Sequence, residues 1–140
     1  MIRTFKESDI NAVAEIWLDS NIEAHSFITA AYWQKHFEAV KAMLLQAEIY
    51  VYEEAGRIKG FIGLESNYIA GIFVCAEARS KGIGKQLMNY AKERKNKLSL
   101  NVYKKNTQAV RFYKREGFSI VREGTDENTN ETEYEMIWKK

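Results

Sequence analysis

The chain has 140 residues, 46% of them apolar, and its 21 Lys and Arg against 19 Asp and Glu leave a formal net charge of +2. That length suffices for one domain with a real core, the apolar fraction excludes a disordered chain, and the charge balance is too even for a dedicated nucleic-acid binder. One cysteine allows no intrachain disulfide, no apolar run nears the ~20 residues that span a bilayer, and Met1-Ile2-Arg3-Thr4-Phe5 has no signal-peptide core; the expectation is a cytoplasmic protein with no membrane partner.

Ile2–Phe5 reads as a short strand. Ser8 or Asp9 can cap a helix whose apolar positions Ile10, Val13, Ile16 and Trp17 fall at helical spacing. Asn21 to Phe27 reads as a loop, after which Ser26 or Thr29 can cap a second helix with Tyr32, Trp33, Phe37, Val40 and Leu44 on one stripe. Glu48–Glu53 and Arg57–Glu65 alternate in strand fashion about Glu54-Ala55-Gly56, which predicts a hairpin. Asn67 and Tyr68 lead into the continuous apolar run Ile69–Val74, the pattern of a central strand covered on both faces. A helix from about Ile83 to Lys95 offers Leu87, Met88, Tyr90 and Ala91 for packing, and Leu98, Leu100 and Val102 alternate as a further strand. Asn106 can cap the next helix, and Gly117 stands where it would stop in a left-handed conformation. Phe118–Glu123 and Glu133–Trp138 predict a final antiparallel pair, joined by a polar, mobile connection from Gly124 to Thr132. No proline, low-complexity stretch or repeat marks a linker, so residues 1–140 are expected to form a single α/β (α+β) domain.

Between the apolar run and its helix lies Arg79-Ser80-Lys81-Gly82-Ile83-Gly84, followed by Lys85. A helix N-terminus presents unpaired N–H groups and the positive end of the macrodipole, and glycine lets an anion approach closely. Three basic residues surround the same point, so the stretch reads as a pyrophosphate cradle. It is not a P-loop: Arg79 occupies the place of the first glycine, and Gln86 follows the lysine instead of Ser or Thr. It is not the dinucleotide fingerprint either, because Leu87 occupies the third glycine position.

What remains, Arg-x-x-Gly-x-Gly, resembles the acyl-CoA loop of the GNAT N-acetyltransferase superfamily. The second signature, Asn106-x-x-Ala109-x-x-Phe112-Tyr113-x-x-x-Gly117-Phe118, lies one strand further on and is similar to the segment in which GNAT proteins have an Asn opening a helix, a Tyr within it and Gly-Phe closing it. The resemblance covers essentially the whole chain. It implies the GNAT fold: a central, mostly antiparallel mixed sheet of about seven strands with a splayed parallel pair, flanked by about four helices. It further implies acetyl-CoA as co-substrate, no metal, and direct transfer of acetyl to a primary amine. The splayed pair would be the Ile69–Val74 and Leu98–Val102 strands, with backbone at Ile72, Phe73 and Val74 bonding pantetheine or polarising the thioester carbonyl. Arg79, Ser80, Lys81, Gly82, Ile83, Gly84 and Lys85 would hold the pyrophosphate, and Asn106, Ala109, Phe112 and Tyr113 would border the pantetheine arm.

Within that frame Tyr113 is the candidate general acid for the leaving thiolate; the alternative is one more aromatic packed on an amphipathic helix. Asn106 has simple N-capping as its alternative. Glu65 could act as base directly or through water, and His25 has a suitable reference pKa of ~6.5. His25, Phe27, Tyr32 and Tyr68 would form the acceptor side, whereas Trp33 suits the core. Of the acidic residues, only Glu23 and Glu65 fall plausibly at the cleft, which disfavours a polyamine and favours a peptide or less charged amine. The acceptor stays open between a small molecule and a protein lysine or N-terminus, and the oligomeric state between monomer and homodimer. One rival reading is a catalytically silent CoA-binding sensor. Another is a nucleic-acid module using Lys104, Lys105, Arg111, Lys114 and Arg115.

Overall fold

The computed structural model describes residues 1–140. Its elements follow the predicted order: β1 (Ile2–Thr4), α1 (Ile10–Ala24), α2 (Ala30–Leu44), β2 (Glu48–Glu54), β3 (Arg57–Glu65), β4 (Tyr68–Val74), α3 (Ile83–Arg94), β5 (Lys97–Tyr103), α4 (Thr107–Arg115), β6 (Ser119–Asp126) and β7 (Glu131–Lys139). The strands make one seven-stranded sheet in the order β1-β2-β3-β4-β5-β7-β6. Every pairing is antiparallel except β4 with β5. This is the GNAT fold that the two motifs imply. No helix is long and apolar enough to cross a membrane.

Strand alternation distributes the core over both faces of the sheet. Ile49, Val51 and Phe61 turn to the face that packs Val13, Ala14 and Ile16 of α1 and Leu44 of α2. Ile62 and Leu64 turn to the opposite face, with Leu87, Met88 and Ala91 of α3, Leu98, Leu100 and Val102 of β5, and Tyr113 of α4. Burying one such aliphatic side chain is worth about 1.5–3 kcal/mol, so the apolar periodicity dominates which face each helix covers.

Four details differ from the sequence reading. Helix α1 continues through Asn21 to Ala24, because the Asn21 side chain donates Nδ2–H to the Trp17 carbonyl at 2.8 Å and stays buried inside the helix. Asp9 caps nothing in α1; its carboxylate takes the Arg3 guanidinium at 2.8 and 3.0 Å and the Lys6 N–H at 2.8 Å. The stretch from Gly124 to Thr132 is mostly strand, closed by a turn in which Asp126 accepts the Asn128 N–H at 2.9 Å. Its polarity is that of an exposed edge strand, not of a loop.

The fourth difference shapes the site. Of the apolar run in β4, only Ile69 is fully buried; Ala70 is exposed and Ile72, Phe73 and Val74 are half-buried. Strands β4 and β5 pair at Tyr68↔Ser99 alone and then diverge. The β3–β4 ladder also steps from Leu64↔Ile69 to Gly63↔Gly71, leaving Ala70 without a partner as a bulge. An apolar strand beside a gap carries the same sequence signature as one buried between layers.

Candidate active site

The divergence opens a cleft of about 530 Å³. One wall is β4 from Ile69 to Val74, the other β5 from Leu100 to Tyr103. Phe112, Tyr113, Asn106 and Ala109 come from α4 and its cap, and Arg79 and Gly84 stand at one end. Backbone groups of β4 that point away from β3 face this space, since β5 supplies a ladder at one position only.

The loop before α3 is built to receive an anion. Gly82 is the N-cap at φ +80°, Ser80 lies in the left-handed region at φ 64°, and no side chain caps the helix. A Cβ added at Gly82 would meet nothing within 4 Å, so the loop has open space beside its free N–H groups. Gly84 has a packing duty, with a Cβ there falling 3.5 Å from the Phe112 ring. Ile83 points into the core at 4% exposure, which leaves only its backbone for a ligand. Lys81 is exposed. Two of the expected cradle cations already have carboxylate partners: Arg79 donates to Glu23 and to the Val74 carbonyl, and Lys85 lies 3.6 Å from Glu116.

Tyr113 is 9% exposed, belongs to the core beneath α3 and α4, and still lines the cleft. Burial, with a smaller contribution from Tyr68, pushes its phenol well above the ordinary value. Phe112, expected beside the pantetheine arm, borders the cleft and also packs against the core. On the far side Tyr68 donates to Asn101 Oδ1 at 3.4 Å, and Asn101 donates Nδ2–H to Glu133 at 3.1 Å. Burial first and Glu133 second raise the Tyr68 pKa. Asn101 and Glu133 were missed by sequence reasoning. Their meeting depends on the β5–β7 register, which places Tyr103 opposite Glu133 and Asn101 opposite Glu135, and nothing local encodes it.

His25 lies at the end of α1 with 7% exposure, stacked on Trp33 and edge-on to Phe27 and Tyr103. Its Nδ1 is 3.0 Å from the Asn21 carbonyl, and its Nε2 is 3.2 Å from Asn106 Nδ2. Burial lowers its pKa below the usual imidazole value. Both ring nitrogens are thus engaged within the protein, which counts against His25 as the base. Asn106 does cap α4, accepting the Ala109 N–H at 3.3 Å, and it lines the cleft while doing so. Phe27 and Tyr32, expected in the acceptor wall, stand one layer behind it: Phe27 packs on His25 and Tyr103, and Tyr32 on Trp33 and His36. Trp33, assigned to the core, is buried there and also borders the cleft.

Glu65 is exposed at the end of β3 and does not border the Tyr113 cleft. It borders a second cavity of about 710 Å³ between α2 and β3–β4, with Glu48 also on its lining. The two cavities share Trp17, Ala70, Gly71 and Phe73. The carboxylates on the first cleft itself are Glu23 and Glu133. Cys75 lies outside it, in a polar groove along α1, with Sγ 3.8 Å from Glu77.

Comparison with known proteins adds independent findings. Residues 8–137 match the family described as acetyltransferase (GNAT) domain. The chain is 39% identical over 140 residues to the peptidyl-lysine N-acetyltransferase YiaC of Escherichia coli K12, covering 99% of this chain and 96% of that protein. Its fold superposes on the solution structure of apo-form YjaB from Escherichia coli with a TM-score of 0.87 at 26% identity, covering 99% of this chain and 96% of that one. A Bacillus anthracis chain solved in complex with acetyl coenzyme A aligns with a TM-score of 0.62 at 25% identity, over 67% of this chain and 62% of its own.

Proposed function

The chain belongs to the GNAT acetyltransferase family, as an acetyl-CoA-dependent N-acetyltransferase, and from that premise we propose that it acetylates the side-chain amine of protein lysines with Tyr113 as proton donor. The observation that carries the assignment of the acid is the position of the Tyr113 phenol, buried and bordering the gap between β4 and β5. Acetyl-CoA supplies a thioester carbonyl for an amine to attack and a thiolate to leave.

The residues divide that work. The free N–H groups of Gly82, Ile83, Gly84 and Lys85 at the start of α3, with Ser80, Lys81 and the Arg79 guanidinium beside them, hold the pyrophosphate. Arg79 and Lys85 exchange their carboxylate partners for phosphate when they do so. Backbone at Ile72, Phe73 and Val74 bonds the pantetheine arm and polarises the carbonyl. Asn106, Ala109 and Phe112 line the arm from the other side. Tyr113 donates its proton to the departing thiolate, whose conjugate acid ordinarily has a pKa near ~8.5; the transfer is uphill, and desolvation of the thiolate in the same cleft offsets part of that cost.

The acceptor side rests on the second cavity. Trp17, Val40, Leu44, Phe61 and Phe73 give it an apolar interior, while Glu48 and Glu65 add carboxylates. That combination suits a lysine: carboxylates attract the ammonium, and an apolar channel takes the methylene stem. Desolvation then favours the neutral amine, whose ordinary pKa of ~10.4 would otherwise keep it protonated. Glu65 receives the proton directly or through water, and Trp17, Ala70, Gly71 and Phe73 stand where this cavity meets the cleft. The names of YiaC and YjaB as peptidyl-lysine acetyltransferases support the same acceptor class.

Purified protein with acetyl-CoA should be offered peptides with a free lysine, peptides with a free N-terminus only, and small amines. Acetylation at Nε, located by mass spectrometry with matching release of CoA, is the expected result. Transfer confined to N-termini or small amines would overturn the lysine assignment.

A further inference from the structure

Two backbone groups fix the polarity of a hydrogen-bonded chain that runs from the end of α1 to the start of α4. The Asn21 carbonyl can only accept, so the His25 Nδ1 lying 3.0 Å from it carries the proton. A neutral imidazole protonated there has a lone pair on Nε2. At the other end the Ala109 N–H can only donate, so the Asn106 atom facing it at 3.3 Å is Oδ1. Asn106 must therefore turn Nδ2 toward His25, where it donates to Nε2 at 3.2 Å. That leaves the second Nδ2 hydrogen on a residue that borders the cleft.

We propose that His25 is a positioning residue: as a neutral imidazole protonated on Nδ1, it fixes the Asn106 amide so that an N–H, not a carbonyl, is presented to acetyl-CoA, while Oδ1 caps the helix that carries Tyr113. The inference rests on the reading of Asn106 as a cofactor contact. The matching group on the ligand is a carbonyl oxygen of the pantetheine arm or thioester.

Protonating His25 would put an N–H on Nε2 against the N–H of Asn106. Two donors would then face each other, and the amide could relieve the clash only by rotating, which would withdraw the cap from Ala109. The titratable group in contact with the ring is Tyr103 on β5; beyond it, Tyr32 on α2 packs on Trp33, Lys105 lies over Phe27, and Glu23 on α1 borders the same cleft. Asp126 is engaged by the Tyr103 hydroxyl at 2.5 Å, and Glu131 by Lys105 at 3.1 Å. No carboxylate touches the imidazole, so nothing there stabilises its charged form, and burial opposes that form.

The test is acetyl-CoA affinity by calorimetry between about pH 8 and pH 4.5, carried below the ordinary histidine range because burial lowers the pKa of His25, for the unsubstituted protein, His25→Gln and His25→Leu. Glutamine keeps an oxygen that accepts from Asn106 and cannot protonate; leucine keeps bulk and loses the acceptor. Relative to His25→Gln, the unsubstituted protein should lose affinity on acidification by roughly three- to tenfold, the worth of one hydrogen bond. His25→Leu should be weakened by a similar factor throughout. Titration of the ligand phosphates is common to all three and cancels in the comparison. ¹⁵N NMR of the free protein should show a proton on Nδ1, a readout that stands even where His25→Leu fails to fold. Parallel pH dependence in the unsubstituted protein and His25→Gln, or a proton on Nε2, would overturn the proposal. Absence of acetyl-CoA binding to the unsubstituted protein would instead overturn the cofactor reading and the inference with it.

Discussion

Tyr113 and Asp9 are both buried ionisable groups, and their surroundings drive them in opposite directions. Desolvation holds the Tyr113 proton, so ionisation of this phenol produces no alkaline limb below pH ~10. Tyr113→Phe keeps the ring among Phe112 and Phe118 and deletes the donor. Turnover should fall by about 10²–10⁴-fold while acetyl-CoA Kd and Tm stay nearly constant; turnover within twofold of the parent would hand the proton transfer to another group or to water. At Asp9 the Arg3 hydrogen bonds outweigh burial and hold the carboxyl below its usual value. A depressed folded-state pKa contributes stability that is present above the unfolded value near ~4 and lost as pH falls through the folded one. Asp9→Asn should therefore destabilise by about 2 kcal/mol at neutral pH, the scale of a charge-assisted pair, and by much less near pH ~2. Equal urea midpoint shifts at both pH values would show that the pair contributes no linkage.

At the level of the element, α3 owes its ligand-binding end to one backbone conformation. Gly82→Val places a β-branched residue at φ +80°, which costs stability by roughly 1–2 kcal/mol, and fills the open space beside the free N–H groups. Acetyl-CoA affinity should drop by about 2 kcal/mol or more, roughly 30-fold. Gly56→Val is the control, because Gly56 sits at φ +76° with equally open surroundings in the β2–β3 turn, away from the cleft. A similar loss of affinity in both variants would reduce the effect to backbone strain. The α3 loop and the Asn106-to-Phe118 helix were legible in the sequence because glycine spacing and cap residues are local. So were the strands, whose alternation is local too. Features that depend on partners were not. The apolar run of β4 looks the same beside a gap as beneath a layer, and the polar run of β6 looks the same on an edge as in a loop. Asn101 meets Glu133 only through the register of β5 on β7. Phe27 and Tyr32 stand behind the wall, and Trp33 on it, because of where α2 lands on α1.

For the whole molecule, the sheet is two ladders, β1–β4 and β5–β7–β6, that share the single pair Tyr68↔Ser99. A ligand in the gap touches both ladders and substitutes for the missing rungs, so binding should stabilise the folded state as a unit. At a concentration ~100-fold above Kd the gain is about 2.7 kcal/mol, which for a domain of this size raises Tm on the order of 10 °C. The helical layers should respond unequally. The core beneath α3 and α4 has 14 buried residues and that beneath α1 and α2 has 7, so the second layer has less apolar burial to hold it closed. Helix α2 contributes only Trp33 and Leu44 as buried residues. It should be less protected in hydrogen exchange than α1 and α3, which bury five and four residues, and should open well below the global free energy. Acetyl-CoA should slow exchange in β4, β5 and the first turn of α3 and leave α2 nearly unchanged, since the acceptor cavity against α2 stays unfilled. Adding an acceptor lysine peptide with non-reactive CoA should then protect α2. If acetyl-CoA alone protects α2 as strongly as β4, the acceptor layer is coupled to the cofactor through the whole fold, and the division of the two cavities between cofactor and acceptor is wrong.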